Sequence, residues 1–304
     1  MEAAAVFGPP RNRRGEQVIR GLLFLAALLS IATTAGIVFS LLEETASFFG
    51  DVGVGEFLFG KDWTPLFADP SFGVLPLVTG TLLVSGVALL AAIPIGLGAA
   101  VYLAEYAPPR VRRIVKPVLE LLAGVPTIVF GYFALLFFTP EVLKPIFGDP
   151  LQGFNALSAG VIMGFMIVPT IASVSEDAMS AVPAALREGA FGLGATKLQV
   201  STRVVFRAAL SGIVASFVLG ASRAVGETMI VLIAAGLQPN FTADPRKSVE
   251  TMTTFIAGTA KGDAAVGSTA YEAIFAVGTL LFVMTFVMNL ISIRFVRRYR
   301  QVYE

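Results

Sequence analysis

The sequence predicts an all-α membrane protein with six transmembrane helices and both termini on the cytoplasmic side. Three observations lead there. Hydrophobic residues make up 56% of the 304 positions and charged residues only 14%, against about 25% charged in globular domains. Mean hydropathy is +0.80. The apolar residues gather in stretches that reach the roughly 20 residues needed to cross the hydrocarbon core.

Six stretches qualify: Gly21–Leu42, Val74–Ala104, Val115–Phe138, Phe154–Val174, Ala208–Leu237 and Tyr271–Ile293. Each is apolar on all faces, the pattern of a helix bathed in lipid or buried in a bundle. Basic residues set the orientation. Arg11, Arg13, Arg14 and Arg20 precede the first span. Arg110, Arg112, Arg113 and Lys116 lie between spans two and three. Arg187, Lys197, Arg203 and Arg207 lie between spans four and five. Arg294, Arg297, Arg298 and Arg300 follow the sixth span. The opposite connections hold Lys61, Lys144, Arg246, Lys247 and Lys261 beside acids such as Glu43, Glu44, Asp51, Asp62 and Asp69. The first apolar stretch is longer than the roughly 7–15 residues of a signal-peptide core, so it reads as a retained anchor. The outer loop Glu43–Phe72 carries the single tryptophan, Trp63; whether it packs as a lid is open at this stage.

Composition also excludes. The chain has no Cys and no His, which removes disulfides, thiolate zinc sites, Cys or Ser–His catalysis and histidine proton relays. No carboxylate cluster suggests a metal site. A net charge of +1 offers no field for nucleic acid. No GxxxxGK[ST] is present, so the chain cannot hold ATP in a Walker loop. A solitary secondary transporter would call for inverted repeats or more intramembrane carboxylates, and neither is found.

Between spans four and five lies a polar, basic island, AALREGAFGLGATKLQVSTRVVF, Ala184–Phe206. Pro183 suits a helix start, and Gly192 and Gly194 suit a sharp turn. A second segment follows, with Leu198, Val204 and Val205 apolar and Lys197, Gln199 and Arg203 polar. The pattern is a helix–turn–helix elbow. Two readings fit it: a docking handle for a soluble partner, with Glu188 offering a carboxylate, or an ordinary solvated loop.

Two charges fall inside span five. Arg223 stands about 15 residues from its cytoplasmic start, or about 22 Å along the axis, near mid-membrane. An arginine there costs about 2.5–3.5 kcal/mol on the lenient insertion scale. Glu227, four residues on, shares its helix face. One reading has Arg223 meeting a passing anion while Glu227 holds the guanidinium and offsets its charge. The other is an interior ion pair that locks helices together. Glu120, about a turn and a half into span three, either joins the pathway or reaches the interface. Pro94, Pro126 and Pro169 mark bends, and Thr127 and Thr170 follow two of them, placed to re-satisfy freed backbone groups. Gly160 and Gly164 form a GxxxG, and Ser216, Gly220 and Ala224 repeat small residues at the same spacing, as close helix packing requires.

Glu188-Gly189-Ala190, then Gly194 and Val204, resembles the Glu-Ala-Ala loop of ABC importer membrane subunits, with Gly189, Phe206 and Arg207 as departures. GVLPLVTGTLLVSGVALLAAIPIGLGAAVYLAEYAP (Gly73–Pro108), ELLAGVPTIVFGYFALLF (Glu120–Phe137) and SRAVGETM (Ser222–Met229) are similar to phosphate importer membrane subunits of the PstC type. The resemblance runs from Trp63 to the end. It implies a type I ABC importer fold in a prokaryotic inner membrane: residues 1–20 a cytoplasmic tail, 21–42 the first span, 43–73 a periplasmic loop, 74–296 the permease core with a coupling loop over 176–207, and 297–304 a second tail. It implies a role as half of a pathway for inorganic phosphate, with sulfate or molybdate as alternative cargo. Arg223, Glu227, Glu120 and Thr127 would line the pathway. Glu188, Gly189, Ala190, Gly194, Arg187 and Lys197 would couple it to an ATPase. The implied partners are a PstA-type second permease, two copies of a PstB-type ATP-binding subunit that uses ATP and magnesium, and a PstS-type phosphate-binding protein. The chain itself would bind no cofactor and be no enzyme.

Overall fold

A computed structural model describes residues 13–299. Residues 1–12 and 300–304, expected as parts of the two tails, lie outside the described residues. The described chain is helical, with one isolated antiparallel bridge between Trp63 and Phe72.

Helix α1, Arg13–Asp51, is 39 residues long, far more than a bilayer needs. None of its apolar membrane window is buried against the rest of the chain. Only its far end packs, where Thr45 Oγ1 meets Thr279 Oγ1 at 2.8 Å and Phe48 is fully buried. That end, the short α2 (Val54–Phe59) and the segment through Phe72 form a small outer lobe. Phe48, Phe57, Trp63, Phe72 and Phe255 meet edge to face at 4.8–6.4 Å, the geometry that aromatic quadrupoles favour. The tryptophan-bearing loop is thus a packed lobe.

Helix α3, Leu75–Val101, continues into a π turn, Tyr102–Tyr106. It packs along α7, Ala156–Ser180, to make the centre of the molecule. The GxxxG sets how closely they approach. A methyl added at Gly160 would lie 2.7 Å from Val87 Cβ, and one at Gly164 would lie 2.8 Å from the Ala88 carbonyl oxygen. The second small-residue series works the same way on α11, Leu210–Val225: Ser216 Oγ meets Ser175 Oγ at 2.7 Å inside the core.

Two expected spans differ from their sequence reading. The stretch Val115–Phe138 is not one helix. Helix α4, Pro109–Ala123, ends at Gly124, and a new helix, α5 (Thr127–Phe133), begins after Pro126. A π segment, Ala134–Leu143, and α6, Lys144–Phe147, complete the crossing, so the span is Thr127–Phe147. Pro126 lacks the amide hydrogen needed to continue the ladder, and α4 is amphipathic rather than apolar all round. Span five is also divided. Its first half, α11, stops at Val225, and α12, Met229–Ala234, resumes beyond Gly226–Thr228. The half-helices α5 and α12 cross at Gly131, whose added methyl would stand 3.1 Å from Ile233 Cβ and 3.2 Å from the Met229 carbonyl oxygen.

The island folds as the predicted elbow. Helix α8, Ala184–Gly192, leads to Gly194 at φ +82°, a conformation that favours glycine. The return limb runs through α9 (Lys197–Gln199), a π turn (Val200–Val205) and α10 (Phe206–Ala208). Thr196 and Gln199 cap it reciprocally. The limb then meets α11 at a 71° bend. An outer segment carrying α13, Met252–Gly258, leads to the last helix, α14, Thr269–Tyr299. Among the described residues, five helices are long and apolar enough to cross a membrane, or six when the bent Lys197–Ala208 and Leu210–Val225 pair is counted as one span.

Candidate functional site: a divided helix and a basal elbow

The break at Gly226–Thr228 leaves the first amides of α12 without intrahelical acceptors, as at every helix start. Glu227 fills that need. Its Oε1 accepts from the amides of Met229 at 3.0 Å and Ile230 at 3.3 Å. Its backbone carbonyl accepts from Thr253 Oγ1 of α13 at 2.9 Å. A carboxylate at a helix N-terminus is favoured by both the hydrogen bonds and the dipole.

The ion pair expected between Arg223 and Glu227 is therefore not formed. The helix that would have put them on one face ends between them, and the carboxylate turns to cap the next. Arg223 is half-buried and instead donates from Nη1 to Thr170 Oγ1 of α7 at 3.2 Å. Thr170, expected to compensate a proline-freed carbonyl, is thus a partner for the arginine. No carboxylate pairs with the Arg223 guanidinium among the described residues.

Thr127 is the first residue of α5, directly after the Gly124–Pro126 break, and half-buried. Glu120 is not in a span at all. It is exposed on α4, at the rim of a recess of about 460 Å³ shared with Leu103, Arg112, Arg113 and Lys116. The structure groups Arg223 with Thr170, groups Glu227 with α12 and α13, and leaves Glu120 on the outside.

Beside this recess stands a group the sequence reading missed. Glu176, fully buried near the end of α7, receives Arg112 Nη2 and Lys116 Nζ from α4, the latter at 2.7 Å. Ser180 Oγ donates to it at 2.8 Å, and Lys116 also reaches Asp177. Burial pushes the Lys116 ammonium down, but its hydrogen bonds to Asp177 and Glu176 prevail and hold its pKa above the usual lysine value. The signal was present: acids at 176 and 177, bases four apart at 112 and 116.

On the elbow, Glu188, Gly189 and Gly194 are exposed and Ala190 is half-buried. The tip presents Phe191, Leu193 and Leu198, with Leu193 91% exposed, an apolar cap unusual for water-facing residues. Arg187, expected to face a partner, turns inward. Its Nε and Nη2 donate to Glu105 Oε1 at 3.2 and 3.1 Å, and Nη1 and Nη2 donate to the carbonyls of Val182 and Met179. Lys197 sits over the Tyr106 ring, 4.9 Å from its centre.

Residues 92–301 match the family described as binding-protein-dependent transport system inner membrane component. Among curated relatives, the probable ABC transporter permease protein YqgH of Bacillus subtilis is 33% identical over 296 residues, covering 96% of this chain and 94% of its own. The phosphate transport system permease protein PstC of Haemophilus influenzae is 33% identical, covering 91% of each chain. Its namesake from Mesorhizobium japonicum is 31% identical, covering 88% of this chain and 85% of its own. Among solved structures, a bacterial ABC transporter involved in alginate import superposes with a TM-score of 0.64 at 19% identity, covering 94% of this chain and 99% of that one. The inward-facing MetNI methionine ABC transporter gives 0.60 at 22%, covering 75% and 96%.

Proposed function

The chain belongs to the binding-protein-dependent transport system inner membrane component family, and from that premise we propose that it is the PstC-type permease of an ATP-driven phosphate importer. It is a multi-pass protein of the prokaryotic inner membrane. Relatives named for phosphate transport across most of its length support the cargo. In this reading the elbow and both tails face the cytoplasm and the aromatic lobe faces outward.

The observation that carries the anion pathway is Arg223. It lies half-buried within a span, tethered to a neutral hydroxyl with no carboxylate paired to it. A guanidinium so placed keeps donors and charge for an oxyanion. Glu227 takes a different part from a counter-ion: it holds the two halves of span five in register beside the passage. Thr127 stands at the matching break of span three. Alternating access is rigid-body movement about these breaks.

Energy comes from elsewhere. We assign ATP and magnesium to two PstB-type subunits, one of which docks on the elbow, whose Glu188 and apolar tip face outward for it. A PstA-type permease completes the pathway, and a PstS-type protein delivers phosphate to the outer face. Radiolabelled phosphate uptake in a complemented permease-null strain tests the proposal. Arg223→Gln lowers uptake by about tenfold or more, the value of a charge-assisted hydrogen bond, with the protein still in the membrane. Uptake at the parental level overturns the role of Arg223. Stronger competition by sulfate or molybdate than by unlabelled phosphate overturns the cargo.

A further inference from the structure

Both limbs of the elbow rest on the same five residues. The π turn Tyr102–Tyr106 ends the second span, closed by the Ala107 amide on the Tyr102 carbonyl at 2.7 Å. Such insertions are rare and gather at functional sites. Glu105 projects from it, with only 7% of its side chain exposed, into the grip of Arg187 on α8. The next residue, Tyr106, lies under Lys197 on the return limb. An apolar floor joins them: Ala100, Val182, Val200 and Val205 are buried there, with Leu186 packed against them.

The chemistry of the two grips differs. Arg187 spends four donor contacts, two on Glu105, one on the Met179 carbonyl in the last turn of α7 and one on the Val182 carbonyl just beyond it. It therefore ties the elbow to spans two and four at once. Removing one partner of a buried charge pair strands the other, so Glu105 and Arg187 move together. Lys197 over Tyr106 is a cation–π contact at a partly exposed site, weaker and able to slide. The seat is thus fixed under one limb and compliant under the other.

We propose that the π turn Tyr102–Tyr106 is the seat through which the elbow moves the second span, Glu105 as the fixed grip and Tyr106 as the sliding one. Both are positioning residues. The inference rests on the docking reading of the elbow and adds the route by which force leaves it.

Reconstituted complexes with the ATPase subunits and the phosphate-binding protein test it, by ATP hydrolysed per phosphate imported. Glu105→Gln and Tyr106→Leu retain the ATPase subunits and hydrolyse ATP, while import falls about tenfold, the size of a lost coupling term. The ATP-to-phosphate ratio rises accordingly. Tyr106→Phe, which keeps the ring beneath Lys197, restores it. A ratio unchanged in both Glu105→Gln and Tyr106→Leu, with ATPase subunits retained, overturns the seat alone. ATPase subunits that never co-purify with the parental chain overturn the docking reading and the seat with it.

Discussion

Glu250 shows how one side chain can set a pH response. It lies in the outer segment between α12 and α13, half-buried beside Trp63 and Phe255. Burial alone pushes its pKa up to about 8, and no cation offsets it. The stabilisation of its protonated form is complete below the ordinary value of 4.5 and is lost as pH rises through about 8. Glu250→Gln is expected to flatten the pH dependence of thermal unfolding across that window, read in detergent at a series of pH values. Asp244 behaves oppositely: hydrogen bonds from Arg246 hold it at about 2, so its contribution is present above the ordinary value of 3.8 and is lost as pH falls from there through about 2. Arg223 stands out in the sequence because a charge in an apolar run carries an insertion cost that some partner must offset. Its partner does not, because i and i+4 neighbours share a face only while the helix persists, and here it ends at Val225.

At the scale of elements, the closely packed pair α3 and α7 sets the frame. Gly160→Leu would force a side chain into Val87 and is expected to cost about 1–3 kcal/mol by overpacking, measured as loss of folded protein after detergent extraction. Glu176 makes a second joint, between α4 and α7. Glu176→Ala leaves Arg112 and Lys116 without their shared acceptor, and both are partly exposed. A loss of about 1–3 kcal/mol is expected, and limited proteolysis at the α4 end checks it. The helix count and the elbow were readable from hydropathy, basic residues and glycine placement. The interruptions at Gly124–Pro126 and Gly226–Thr228 were not, because a hydropathy window averages across a three-residue gap. In the sequence Pro126 reads as a kink in a continuous span. It precedes the first residue of α5, which leaves Glu120 on α4 ahead of the span and extends the span to Phe147.

For the whole molecule, the large unburied surfaces matter most. No residue in the apolar window of α1 is buried, and in α14 only 17% of the window is. The exposed face of α5 and of the π segment that continues it carries Val129, Tyr132, Phe133 and Leu136. Such surfaces face lipid or another subunit, which fits a chain that supplies half of a pathway. Co-expression with a PstA-type partner is expected to raise the yield of folded permease several-fold over expression alone, measured by fluorescence-detected size exclusion. Equal yields would argue for a self-sufficient chain. The outer lobe, by contrast, was beyond reach of the sequence, because four rings between Phe48 and Phe72 close on one another and on Phe255 from far along the chain.

The sharp corner between the elbow and α11 has a mechanical corollary. Some 13 residues of stiff rod separate that corner from Arg223, about 20 Å. Swinging the rod by about ten degrees carries its tip about 3.5 Å, more than the whole 3.2 Å reach from the guanidinium to Thr170. A nudge too small to unseat the crank still unfastens the clasp at the far end. Under the proposed function, whatever grips the handle would set when the arginine is released to a passing solute.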